Sequence, residues 1–139
     1  MTRPFVRMNG AGNDFIVVNA LETPFAPTAD EVRALAARKP GPGCDQLIAI
    51  EPSATADAFM RVWNADGGQV ETCGNALRCV GWLLTESTGR DEVVIDTLGG
   101  PTTARRAGDR RVRVDMGAPG LDWTEIPLAE EMDTRGIEL

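Results

Sequence analysis

Cys73 is the residue on which chemistry can be built. It stands in the run Asn64-Ala65-Asp66-Gly67-Gly68-Gln69-Val70-Glu71-Thr72-Cys73-Gly74-Asn75-Ala76-Leu77-Arg78-Cys79, where a Gly-rich loop gives way to an apolar helix. A helix N-terminus carries unpaired N–H groups and a partial positive charge, which favour a thiolate and can pull a cysteine pKa well below its free value of about 8.5. Gly74 and Asn75 open the backbone to a ligand and add a carboxamide. The segment therefore offers a base and an anion site together. A cysteine at a helix start can also be a small buried hydrophobe. The polar Glu71-Thr72 before it and the glycines on either side make poor core surroundings and good ligand surroundings.

The other two cysteines read differently. Cys79, between Arg78 and Val80 on the apolar helix, reads as core, and Cys44 in Gly43-Cys44-Asp45-Gln46 is a candidate to line the same pocket as Cys73 without acting. Carboxamides form a second constellation. Asn13, Gln46, Asn64 and Asn75 all stand where loops meet regular elements. Singly, each is a natural turn former. Grouped around one thiol, they suit a small zwitterion, because amides can hold a carboxylate and an ammonium without titrating.

Composition removes several alternatives. There is no histidine, so Ser-His, Cys-His and His-metal chemistries are excluded within these residues, and a general base must be Cys, Asp, Glu or Lys. Lys39 is the only lysine, which leaves one unpromising Schiff-base position for pyridoxal phosphate; no cofactor is expected. Cys44, Cys73 and Cys79 lack paired C-x-x-C spacing, so no metal is expected either. With 14 Lys and Arg against 21 Asp and Glu, the net charge of −7 has the wrong sign for a nucleic-acid binder. Arg105, Arg106, Arg110, Arg111 and Arg113 read instead as the solvated face of a strand pair. The longest apolar runs, Phe15 to Val18 and Val80 to Leu84, fall far short of the roughly 20 residues a membrane helix needs, and Met1-Thr2-Arg3-Pro4 opens no leader. Three cysteines make no disulfide framework, so a reducing, cytoplasmic location is expected.

The elements that must hold these groups emerge from periodicity. Phe5 to Met8 and Asp14 to Val18 read as strands around a Gly-rich turn. Thr28-Ala29-Asp30-Glu31 is a capping-box pattern opening a helix to about Arg38. Leu47 to Glu51 and Ala58 to Trp63 read as strands, and Asn64 to Gln69 as a turn-rich hinge into a helix from Gly74 to about Glu86. That helix is apolar nearly all round, which predicts a central helix wrapped by sheet on several sides. Glu92 to Leu98, Thr102 to Arg106 and Arg110 to Met116 read as three further strands. The 139 residues fit one α/β (α+β) domain over residues 1–120, a strongly curved, mixed or antiparallel sheet around a buried helix, with 121–139 as linker or tail.

Four motifs in order, Gly10-Ala11-Gly12-Asn13-Asp14-Phe15, Gly43-Cys44-Asp45-Gln46, Asn64-Ala65-Asp66-Gly67 and Glu71-Thr72-Cys73-Gly74-Asn75-Ala76-Leu77-Arg78-Cys79, resemble the N-terminal half of diaminopimelate epimerase. Val114-Asp115-Met116-Gly117 and Ile126-Pro127-Leu128 resemble the family's next segment. The resemblance implies one half of a two-domain fold with the active site in the cleft between halves. It implies epimerisation of LL- to meso-diaminopimelate, toward lysine and peptidoglycan precursors, by two cysteines on opposite faces of the substrate's Cα, without metal or pyridoxal phosphate. Carried over residue by residue, Cys73 would be one acid/base, and Asn13, Gln46, Asn64, Gly74 and Asn75 would bind substrate. The second cysteine would lie in another half, so the chain alone is expected to be inactive. Its expected partners are diaminopimelate and the missing half, or a second copy meeting it through the exposed cleft face. Ala76 replaces the family's usual glycine, Asn9 stands where many members have histidine, and the Arg38-Lys39-Pro40-Gly41-Pro42 loop is unusual. Alternatives are another cofactor-independent amino-acid racemase of the superfamily, or a non-catalytic module that binds an amino acid or pairs with another chain.

Overall fold

The computed structural model describes residues 3–39, 41–108 and 111–116. The expected linker, 121–139, lies outside the described residues. Strands β1 (Val6–Gly10) and β2 (Asn13–Asn19) form a hairpin whose two turn residues both have positive φ, 51° at Ala11 and 94° at Gly12. Such a turn matches the twist of its strands, and Asn9 stabilises it by accepting the Gly12 N–H at 3.1 Å.

Helix α1 (Ala29–Ala36) carries the full capping box, with Thr28 Oγ1 accepting from the Glu31 N–H and Glu31 accepting from the Thr28 N–H. It stops two residues short of the sequence expectation. Its last carbonyls are taken by Gly43 and Cys44, whose N–H groups bond to Leu35 and Ala36 and turn the chain directly into β3 (Gln46–Glu51). Next along the chain are β4 (Ala58–Asn64), a short β5 (Gln69–Val70) and α2 (Gly74–Thr88). Then come β6 (Glu92–Thr97), β7 (Gly100–Arg106) and β8 (Val112–Asp115). The expected hinge before Cys73 thus contains a strand; two residues are too few to show a period.

The sheet runs β1-β2-β3-β4-β6-β7-β8, with β5 paired beside β4. It is mixed: β2/β3 and β4/β6 are parallel, each pair bridged by a helix, and the other pairs are antiparallel. Alternation sends Ile16, Val18, Leu47, Ala49 and Trp63 toward α1, and Phe15, Val17, Ile48, Ile50, Met60 and Val62 toward α2. Being buried on both faces, β2 and β3 read as unbroken apolar runs.

Helix α2 touches β1 and β2 at one end of the sheet and β6, β7 and β8 at the other, so the sheet curls around it. Leu77 and Val80 are completely buried there, each worth about 1.5–3 kcal/mol of transfer free energy. Gly81 allows the approach: a Cβ there would lie 2.5 Å from Ala104 Cβ on β7. Arg106 departs from the expected solvated face. Its guanidinium stacks 3.9 Å over Trp82 and bonds Thr85 and Glu86, turning inward to cover α2.

Along the seven-strand path of the sheet the narrowest join is β4/β6, where only Ala58 and Phe59 pair with Ile95 and Asp96. Side chains reinforce it: Ser53 and Thr55 donate to Asp96, while Asp57 accepts from the Val94 N–H and from Arg90.

Candidate active site

All six residues singled out from the sequence gather at one end of the curled sheet, around the start of α2. Parallel pairing of β2 with β3 brings Asn13 and Gln46 to the same end, and antiparallel pairing of β3 with β4 sets Asn64 directly opposite Gln46. Cys73 is the N-cap of α2, in an extended conformation (φ −148°, ψ 116°), and its carbonyl accepts the Leu77 N–H at 2.9 Å. Its side chain does not cap the helix. The half-buried thiol instead donates to Gln46 Oε1 at 3.3 Å, and Gln46 Nε2 donates to Asn64 Oδ1 at 2.9 Å. One chain of bonds therefore runs from thiol through two carboxamides.

The second pair lies one residue along. Asn75 Nδ2 donates to Asn13 Oδ1 at 3.3 Å, while Asn75 Oδ1 is buried with no partner among the described residues. A buried carbonyl oxygen without a donor is costly, about 1–3 kcal/mol, and marks a place for an N–H group. Gly74, buried as the first helical residue, keeps side-chain bulk away from this corner. The hairpin packs closely too: a Cβ on Gly10 would come within 3.0 Å of the Asn75 carbonyl and 3.1 Å of Cys79 Sγ.

The remaining cysteines are held as inert thiols. Cys79 belongs to the α2 core, and burial, followed by the charge of a Cys73 thiolate, pushes its thiol up to about 11. Cys44 does not line the same pocket as Cys73, contrary to the sequence expectation. It packs with Ile16, Val32 and Leu47 on the opposite face of the sheet, where burial pushes its thiol up. Strand alternation would set Cys44 on the face of Gln46. Cys44 precedes β3, however: its N–H is held by the Ala36 carbonyl at the end of α1, and the chain bends at Asp45, so the side chain takes the other face.

Sequence reading also missed the lock that holds the strand starts together. Asp45 accepts the Asp14 N–H at 2.8 Å and returns its own N–H to the Asp14 carbonyl at 2.9 Å, and Arg38 pairs with both carboxylates. Both aspartates lie inside the glycine motifs, beside Asn13 and Gln46, which was the available signal. The Asn64 turn is likewise tied to α1, through Arg33 donating to the Asp66 carbonyl at 2.9 Å. Separately, a groove of about 530 Å³ lies on the α1 side, walled by Phe25, Trp63 and Pro52, away from Cys73.

The architecture recurs in solved structures of isomerases and related proteins. Methylitaconate-delta-isomerase matches with a TM-score of 0.59 at 20% identity, covering 91% of this chain and 68% of that one. A hydroxyproline epimerase from Agrobacterium vitis matches at 0.54 and 19%, covering 79% and 40%. At these identities the likeness is one of fold. Residues 5–121 match the diaminopimelate epimerase family, and the chain belongs to it. It is 59% identical over 139 residues to the diaminopimelate epimerase of Phenylobacterium zucineum (strain HLK1), covering all of this chain and 50% of that protein. For the enzyme of Caulobacter sp. (strain K31) the values are 53% over 147 residues, 100% and 51%. The chain spans about half the length of these curated relatives.

Proposed function

We propose that this chain contributes one face of a diaminopimelate epimerase active site. Cys73 exchanges the Cα proton on its side of the substrate, and an acid/base from a second half acts from the other side, inverting LL- to meso-diaminopimelate. The observation that carries this reading is the thiol at the N-cap of α2, bonded to Gln46 and bordered by the Asn75 carboxamide with its unused acceptor. As the proton leaves, charge builds on the substrate carboxylate, and the free N–H groups of the first turn of α2 are suited to stabilise it. The Asn75 acceptor suits the substrate's ammonium, while Gln46 and Asn64, already bonded to each other, would orient the thiol and border the substrate. Thiol-to-carbon proton transfer needs only a base and an acid of matched strength on the two faces.

No helix among the described residues is long and apolar enough to cross a membrane. A cytoplasmic enzyme serving lysine and peptidoglycan precursor synthesis fits that and the family.

The test is incubation of diaminopimelate in deuterated water with the purified 139-residue chain, alone and mixed with the C-terminal half of a close relative. Deuterium at Cα with inversion is expected only from the mixture, and should disappear with Cys73→Ser. Full-rate inversion by the chain alone would refute the need for a second half. A mixture whose activity survives Cys73→Ser would refute the role of the thiol.

A further inference from the structure

We propose that Thr97, at the end of β6 and far from Cys73 in sequence, is a positioning residue for the Cys73 thiol; this rests on reading that thiol as the proton-transfer group. Helix α2 fixes the residues after Cys73, but the two before it need a support of their own. Strand β5 ends at Val70, paired with Val62, and Glu71 and Thr72 are exposed. Their support comes from the β6/β7 hairpin. Its two-residue turn, Leu98-Gly99, presents the Gly99 N–H to the Glu71 carbonyl at 3.1 Å.

Thr97 sets the direction of that N–H. The residue is only 6% exposed, and its hydroxyl donates to the Gly100 carbonyl at 2.9 Å while accepting the Gly99 N–H at 3.1 Å. One N–H is thus shared between the Thr97 hydroxyl inside the turn and the Glu71 carbonyl outside it. The turn lies against the loop at van der Waals distance: a Cβ on Gly99 would meet Glu71 Cβ and Thr72 Cβ and Cγ2 at 3.6 Å. The thiol is therefore held from two sides, by Gln46 through its sulfur and by the hairpin through the two residues before it. Proton transfer is sensitive to placement on the ångström scale, so slack in that loop would act on the thiol itself.

The hydroxyl, not the shape, carries this role, which makes Thr97→Val and Thr97→Ser the informative pair. Iodoacetamide alkylation of Cys73 in the 139-residue chain, with peptide mass spectrometry across neutral to alkaline pH, reads the thiol's surroundings without needing turnover. With Thr97→Val, alkylation at neutral pH should slow about threefold as the thiol loses its fixed place at the helix N-terminus. Thr97→Ser should restore the wild-type rate and pH profile. A wild-type profile in Thr97→Val, or no recovery in Thr97→Ser, overturns the proposal. Should Thr97→Val fail to fold, hydrogen exchange in the unmodified chain decides: a protected Gly99 amide supports the shared bond, and exchange at the rate of an exposed turn amide overturns it. Failure of deuterium incorporation by the mixture with the C-terminal half, with this alkylation pattern intact, would sink the epimerase reading and leave the positioning role standing.

Discussion

Gly81→Ala sets two effects of known size against each other. Alanine in a helix interior is favoured over glycine by about 1 kcal/mol, so propensity alone says the variant gains stability. The new methyl group, however, would sit 2.5 Å from Ala104 Cβ, with Val112 Cγ1 at 3.3 Å. Ala104 is fully buried on β7, and its Cβ has no rotamer through which to escape. Relief must come from moving α2 or β7, and overpacking of this kind costs about 1–3 kcal/mol. The clash is backbone-anchored on both sides, so the upper part of that range applies, and the net loss should be about 1–2 kcal/mol. For a domain of this size that lowers the melting temperature by roughly 3–8 °C, measurable by circular dichroism with a urea titration alongside. Adding Ala104→Gly should recover part of the loss despite glycine's own cost in a strand, giving a non-additive cycle. A raised melting temperature in Gly81→Ala, or strict additivity in the cycle, would refute the claim that this contact limits the helix–sheet distance.

Three other sites give outcomes of their own. The Val94 N–H, and next Arg90, hold the Asp57 carboxyl below the ordinary carboxylate range. Its contribution to stability is thus fully present above the unfolded-state value and lost as pH falls through the lower folded one; melting curves of wild type and Asp57→Asn should differ at neutral pH and converge in acid. Ala11 has a φ of 51°, where an L side chain is strained; Ala11→Gly should stabilise by up to about 1 kcal/mol in chemical denaturation, and destabilisation would argue against strain in the turn. Brief alkylation at mildly alkaline pH should label Cys73 at least about tenfold faster than Cys79 or Cys44, since both of those thiols are buried and pushed up. Peptide mapping gives the order.

Much of this architecture was legible because local and global signals agree. The apolar circumference of α2 announces a helix wrapped by sheet, Thr28 and Glu31 announce the start of α1, and the carboxamides at element ends do converge on Cys73. What sequence did not yield depends on contacts between distant segments. Strand β5 exists only because β4 offers it an edge, and Arg106 turns inward only because Trp82 is there to receive it. Cys44 was misplaced because the bend at Asp45, set by the contact with the end of α1, breaks the alternation that would have put it on the face of Gln46. The Asp14, Asp45 and Arg38 lock shows the same limit, joining residues up to 31 positions apart.

The two-residue join between β4 and β6 has a consequence for how the molecule breathes. It divides the sheet into a five-strand portion with α1 and a three-strand portion, sharing α2 and the Ser53, Thr55 and Asp57 bonds across the seam. Amides of β6 to β8 should therefore exchange with solvent as one cooperative unit, ahead of those in β2 and β3. Because the Leu98-Gly99 turn belongs to the looser unit and Gln46 to the tighter one, Cys73 rests across their boundary. Opening of the seam would release one of its two supports while keeping the other.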